Sequence, residues 1–495
     1  MYIELLFSIL AFSCLRMHSL LLKTYAQYSD IWQFKQDWCR QRKAAFDWQA
    51  ILEPCKNDLE YNKKPKSLIS TEGTSPNNSL VFVRVAPAGQ FTHIWIESRD
   101  KLGNPKKYGG DSWRVMIRSE GATLAADVFD HNNGSYEALA LIMEPGLYTL
   151  DVRLDYTLCD GFRNPPVEWF RTFHCSGVIK DLKDVADPIF ADLQDYINKR
   201  IENGRILAIN VLPSNLNALG HAQLMLQADN ECDVPCSKKL WDGYGRWSFK
   251  NKWKPFMNEI NFPSSSEEWR IFEGRRRNLD YIRGHKKGKG MFWVFGDSLS
   301  YYFYESLSKN RREFCETDFQ MCNVSANWIY PKDMYLPIES IKTCNGTKLE
   351  VPKILNFLRE VTRKPTMMDK NSVLLYNAGA HYVKSVSFAQ YKEVISELAR
   401  VLGEEFKGKA IWKSTTAMHD QTMSKYIGCF RRFTTHQRIK LFNAYSNGAM
   451  CKAGVPFLDI YPISASYPGG TIDGVHYHES VFYPVEELLV SYFSK

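Results

Sequence analysis

Between Leu80 and Tyr156 short apolar runs alternate with turn residues, the two-residue period of half-buried strands. Leu80–Val85, Thr92–Ile96, Trp113–Ile117, Ala125–Phe129, Tyr136–Ile142 and Tyr148–Leu154 read as six successive strands, punctuated by Gly89, Gly109-Gly110, Asn132-Asn133-Gly134 and Pro145-Gly146. A series at that spacing predicts a β-sandwich of roughly 100 residues, placed at 70–158. No cluster of reactive side chains sits inside it.

The pattern changes after Gly290. Met291–Phe295, Ser372–Tyr376, Ala410–Trp412 and Val455–Leu458 are continuous apolar runs, as expected of strands buried on both faces. Between them the period becomes helical: Leu299, Phe303 and Leu307 recur every four residues, and Tyr391, Val394, Ile395, Leu398 and Leu402 mark a second stripe. A further helix is expected around Gln437 to Tyr445. Strands alternating with helices predict an α/β domain over 290–495, a parallel sheet covered on both faces with its site beyond the carboxyl ends of the strands. Residues 159–289 lack clean periodicity. Asp192–Ile201 is a candidate short helix and Arg205–Val211 a strand, and tryptophans 241, 247, 253 and 269 gather among Gly and Pro, so a disulfide-containing connector is expected there.

Composition adds bounds rather than detail. A chain of 495 residues with 44% hydrophobic and 24% charged residues is an ordinary globular protein of more than one domain. Its net charge of +8 is modest; the basic stretches Arg275–Arg277 and Arg283–Lys289 read as a solvated linker, and no nucleic-acid partner is expected. The N-terminus is more telling. Leu5–Leu15 is nearly all apolar and Leu20–Leu22 extends it, so residues 1–25 are expected to be a signal peptide or a signal anchor, the one expected link to a membrane. Sequons at Asn77, Asn133, Asn323 and Asn345 agree with the secretory route. Of twelve cysteines, Cys14 lies in the leader and eleven remain, an odd number. Cys159/Cys175 and Cys315/Cys322 are candidate bridges of an oxidising compartment. Cys232-x-x-x-Cys236 has no second ligand pair, so disulfide use is expected over zinc, and no metal site is expected elsewhere.

The candidate chemistry begins where the first buried strand opens into Gly296-Asp297-Ser298-Leu299. A serine hydroxyl at its ordinary pKa is a poor nucleophile and requires a base within hydrogen-bond reach. Asp473-Gly474-Val475-His476 offers one, with His476 as base and Asp473 as the carboxylate that orients it; His478 and His381 are rival imidazoles. A helix N-terminus at Ser298 points backbone N–H groups toward a developing oxyanion. Asn377 is the candidate side-chain oxyanion donor, with Gly379 and His381 as substrate contacts.

Gly296-Asp297-Ser298-Leu299, Asn377-x-Gly379-x-His381 and Asp473-x-x-His476 together resemble the SGNH/GDSL hydrolase superfamily in its PC-esterase branch, and Trp241-Asp242-Gly243-Tyr244-Gly245 resembles the approach segment of that branch. Asp100–Pro105, Tyr108–Asp111 and Asp130–Tyr136 are similar to filamin-type immunoglobulin-like repeats. The combination resembles the neurexophilin and PC-esterase domain family. That resemblance implies a three-layer SGNH-type domain behind an Ig-like sandwich, in a secreted or Golgi-anchored lumenal protein. It also implies transfer or hydrolysis of acyl groups, acetyl above all, on glycan hydroxyls through an acyl-Ser298 intermediate. No cofactor would be bound, with acetyl-CoA a candidate donor for transfer. The superfamily's separate oxyanion glycine has no counterpart between Lys309 and Gly346. The alternative is a secreted binding protein whose esterase-like domain is inactive.

Overall fold

The computed structural model describes residues 30–60, 73–165, 196–236, 239–249, 251–257, 290–326, 329, 349–419 and 433–493. The expected leader, the basic stretches at 275–289 and the Asn345 sequon lie outside these residues.

Seven strands occupy the region of β periodicity: β1 (Leu80–Arg84), β2 (Gln90–Glu97), β3 (Ser112–Arg118), β4 (Ala122–Ala125), β5 (Asp127–Asp130), β6 (Ser135–Ile142) and β7 (Gly146–Tyr156). They divide into two antiparallel sheets, β1-β2-β6-β5 and β4-β3-β7. The run expected as one strand over Ala125–Phe129 is two, because the chain leaves one sheet at Ala125 and enters the other at Asp127. Alternate residues of both sheets face inward: Ile94, Ile96, Ala138 and Ala140 meet Val115, Ile117, Leu150 and Val152 in one shared core. Burying each such Val, Leu or Ile contributes about 1.5–3 kcal/mol relative to exposure.

The stretch expected as a connector contributes strands to both halves of the molecule. β8 (Lys199–Arg200) and β9 (Leu207–Val211) pair with β7, β11 (Gly245–Ser248) and β12 (Lys252–Pro255) extend the sheet beyond β4, and β10 (Lys239–Trp241) joins the parallel sheet. The helix expected over Asp192–Ile201 is not found in its described part, where Lys199 and Arg200 are paired with Leu154 and Arg153. Hydrogen bonding to an open strand edge overrides a weak local helical preference.

The parallel sheet is built from β13 (Met291–Gly296), β14 (Met321–Ala326), β15 (Val373–Tyr376), β16 (Lys409–Lys413) and β17 (Phe457–Leu458), in the order β10-β17-β16-β15-β13-β14. Its strand residues alternate between two cores: Met291, Trp293 and Phe295 face one, Phe292 and Val294 the other. Helices cover both faces. An N-terminal helix, α1, spans residues 30–44. Then α2 (Ser298–Asn310) and α7 (Tyr483–Phe493) pack on one side, and α3 (Val351–Thr362), α5 (Phe388–Arg400) and α6 (His436–Lys452) on the other. The short α4 (Gly379–Ser385) follows β15. From β13 the chain steps outward to β14, then returns to the opposite side of β13 as β15. That reversal opens a crevice at the carboxyl end of β13, where Ser298 stands.

Among the described residues four disulfides tie the parts together: Cys39–Cys232, Cys55–Cys159, Cys236–Cys451 and Cys315–Cys322. The local Cys315/Cys322 pair forms as expected, but Cys159 is bridged to Cys55 and not to Cys175. The partner came from a segment far upstream, which sequence proximity could not indicate. Cys232 and Cys236 are both in disulfides, with different partners. Helix α1 is also held to the sandwich electrostatically: His93 of β2 lies between Asp37 (3.0 Å) and Glu137 (2.6 Å), and Glu137 also pairs with Arg40. Among the described residues no helix is long and apolar enough to cross a membrane.

Candidate active site

Asp297 ends the turn that follows β13 and is the N-cap of α2, its side chain accepting from Leu299 N at 3.0 Å. Ser298 is therefore the first helical residue, partly exposed, with a backbone N–H that has no acceptor within its own helix. Leu299, Phe303 and Leu307 are buried beneath it, so the apolar stripe read from the sequence fixes the pitch and roll of the helix that presents the hydroxyl.

The distant partner arrives from the loop before α7. His476 Nε2 lies 2.8 Å from Ser298 Oγ, and His476 Nδ1 lies 2.6 Å from Asp473 Oδ2. Asp473 Oδ1 accepts the backbone N–H groups of Val475 and His476 at 3.0 and 2.9 Å. This tight turn needs a positive φ at Gly474 (+97°), a conformation glycine adopts freely. Burial pushes the Asp473 carboxyl up, but the bonds from the His476 backbone and ring and from Val475 overcome it and leave the pKa lowered. An ionised Asp473 fixes the tautomer that leaves Nε2 facing the serine. The loop is braced from outside: His419 N donates to Gly474 O, Thr471 Oγ1 to His419 O, and Tyr477 OH to Ala417 O. His478, the rival imidazole, is exposed and begins a short 3-10 turn two residues further on.

The block after β15 is placed beside the serine but engaged in the scaffold. Asn377 is buried, with its backbone N–H on Phe295 O and its Nδ2 donating to Lys413 O at 2.7 Å and Thr415 Oγ1 at 3.4 Å. These two acceptors take both amide hydrogens, so in this arrangement neither is aimed at an oxyanion. Gly379 lies against Asp297, and a Cβ there would stand 2.0 Å from Asp297 Oδ2. His381 gives its backbone N–H to the same carboxylate. Ser298, His476 and Asp473 are thus brought into mutual contact, whereas Asn377, Gly379 and His381 meet the turn that carries the serine.

Sequence reasoning missed three contributors. Tyr302, one turn after Ser298 and 41% exposed, covers the His476 ring at a centroid distance of 4.9 Å. Its signal was the i, i+4 spacing from the serine. Residues Ser414–Met418 are buried, and among them Ala417 braces the histidine loop by accepting from Tyr477 OH; the polar run after an apolar strand was their mark. Lys413 is buried at the end of β16, and nothing in the pattern distinguished it from a surface lysine.

A serine, an imidazole and an orienting carboxylate in hydrogen-bonded series, at the carboxyl end of a parallel sheet, can carry out nucleophilic acyl transfer. No protein-family model matches the chain, and no curated protein sequence does. Its fold has partial likenesses among solved structures. A lipase/acylhydrolase from Enterococcus faecalis is 16% identical over 41% of this chain and 95% of that one, with a TM-score of 0.29. The Lin-41 filamin domain is 22% identical over 16% of this chain and 80% of its own, with a TM-score of 0.15. Invasin, a bacterial integrin-binding protein, is 11% identical over 30% of this chain, with a TM-score of 0.18, and the match spans only 22% of invasin. At TM-scores this low the likenesses carry no functional conclusion, and the chemistry rests on the Ser298–His476–Asp473 geometry.

Proposed function

We propose that this chain is a serine O-acyl hydrolase or O-acyltransferase of the SGNH type, acting on acyl esters of glycan hydroxyls in the secretory pathway. The observation that carries the reading is the continuous contact from Ser298 Oγ through the imidazole of His476 to Asp473, at 2.8 and 2.6 Å. His476 Nε2 takes the hydroxyl proton as Ser298 Oγ bonds to the acyl carbon. The oxyanion forms against the Ser298 backbone N–H at the α2 N-terminus, with Asn377 as second donor once its amide turns from Lys413. Collapse breaks the bond to the leaving group, the alkoxide of an ester or the thiolate of acetyl-CoA, which leaves with the proton held on Nε2. A water or a sugar hydroxyl then gives its proton to His476 and attacks the acyl-serine; collapse breaks the Ser298 Oγ–acyl bond, His476 returns the proton to Oγ, and an acid or a new ester is released. Exposed sequons at Asn77 and Asn133 and the four disulfides support the secretory assignment.

Release of p-nitrophenol from its acetate ester, run beside acetylation of a glycan panel with acetyl-CoA as donor, tests the reading. Ser298→Ala is expected to lower either rate by at least about 10³-fold. Equal rates in wild type and variant would remove the proposal and favour a binding role.

A further inference from the structure

Four neighbouring parallel strands run out into polar residues within one residue of a common level: Asn377 after β15 beside Lys413 at the end of β16, and, one residue further on, Asp297 after β13 and Asp459 after β17. Among them Lys413 has no task in the chemistry above. It is 1% exposed, and among the described residues its Nζ has no hydrogen-bond partner. An ammonium taken from water without partners is strongly unfavourable unless a charge nearby offsets it. Its backbone oxygen receives the Asn377 amide, which sits between it and the Gly-Asp-Ser turn.

The charge that faces it is Asp297, which stands across Asn377 and β15, one residue past the level of Lys413 in the register, and is buried with it. This carboxylate is 1% exposed and acts only as an acceptor, taking the N–H groups of Leu299 (3.0 Å), Ala380 (2.7 Å) and His381. Leu299 belongs to α2, and Ala380 and His381 to α4, so one carboxylate fastens the starts of two helices on either side of Ser298. Protonation would place an O–H among these donors and break at least one bond. The ionisable groups on the elements packed here are Lys413 on β16, Asp459 after β17, whose carboxyl burial pushes up to about 7 and which accepts from Ser414 Oγ, His381 and Lys384 on α4, and Asp473 and His476 on the closing loop. Burial pushes the Asp297 carboxyl up, and Lys413 is the cation that opposes it. Burial in turn pulls Lys413 down to about 8, against the field of Asp297.

We propose that Lys413 is a positioning residue for the nucleophile: its buried ammonium keeps Asp297 ionised, and the ionised Asp297 holds the α2 and α4 N-termini in the register that presents Ser298. The proposal rests on Ser298 being the nucleophile. Its experiment has two arms so that the two ideas can fail separately.

In the first arm, ¹³C carboxyl NMR on aspartate-labelled full chain, assigned with Asp297→Asn, follows the Asp297 midpoint in wild type and in Lys413→Met. The midpoint is expected to rise by about one pH unit or more without the ammonium. In the second arm, the rate of fluorophosphonate labelling is measured across pH. The variant is expected to match wild type near pH 8 and to fall about tenfold below it near pH 5, its acid limb having moved upward with the carboxyl. Adding Lys413→Met to Asp297→Asn is expected to change nothing further. An unmoved midpoint, or labelling slowed by one factor at every pH, overturns the proposal, the latter being what loss of packing alone would give. Lys413→Gln replaces Lys413→Met if the latter does not fold. Labelling that survives Ser298→Ala would instead remove the nucleophile reading, and the NMR midpoint would still decide whether Lys413 governs Asp297.

Discussion

Gly379 shows how closely the serine turn is built. Its φ is +71° and its α-carbon faces the Asp297 carboxylate, leaving no space for a side chain. Gly379→Ala meets two penalties: about 1–2 kcal/mol for left-handed backbone, and a Cβ 2.0 Å from Asp297 Oδ2 that must be relieved by moving α4 away from α2. A lowered melting temperature together with loss of esterase activity is the expected result, read by circular dichroism and p-nitrophenyl acetate turnover. Ser298, Asp473 and His476 were legible as residues because each stands in a short motif with its own turn chemistry. Asn377, Gly379 and His381 were legible as neighbours of the site, but a motif does not say which way an amide or an α-carbon points. Lys413 carried no local mark at all, since the burial of a lysine is decided by what other segments cover it.

Helices α2 and α1 illustrate the next scale in opposite ways. The α2 stripe of Leu299, Phe303 and Leu307 was readable, and so was its cap, because helix packing and capping are written in spacings of three and four residues. The docking of α1 on β2 and β6 was not, because its clasp is made by residues far apart in the chain. Burial lowers the His93 pKa, but the hydrogen bonds and charges of Asp37 and Glu137 outweigh this and raise it to about 9 from an ordinary 6.5. A histidine shifted upward on folding adds stability that is complete below its unfolded value of about 6.5 and is lost as pH rises through about 9. Wild type is therefore expected to lose melting temperature between these two pH values, and His93→Gln to be less stable in acid with a flatter profile. Thermal unfolding across that window, in the two proteins side by side, checks the sign. Parallel pH profiles would show that the clasp does not titrate.

At the scale of the molecule, three of the four disulfides among the described residues span more than one hundred residues, with sequence separations of 104, 193 and 215. Cys236–Cys451 fastens the segment that feeds edge strand β10 to the end of α6, and so closes the parallel sheet on that side. Replacing both cysteines by serine is expected to cost about 2–5 kcal/mol, chiefly by freeing the unfolded chain. Denaturant unfolding of the paired variant measures that difference, and an unchanged midpoint would show the link to be dispensable. The sequence by itself determined the two kinds of periodicity, most strands of the sandwich, four strands of the parallel sheet, the stripes of α2 and α5 and the motifs that hold the serine, the imidazole and its carboxylate, but not β10, β14 or α3. Those features depend on contacts within a turn or a strand, which local spacing encodes. Only the tertiary structure decided that strands between Lys199 and Pro255 extend the sandwich and the parallel sheet, that Cys159 pairs with Cys55, that His476 rather than His478 reaches Ser298, and that a lysine is buried at the end of β16. Each of these joins segments that meet only when the sheets close, so burial and direction, not residue type, settled them.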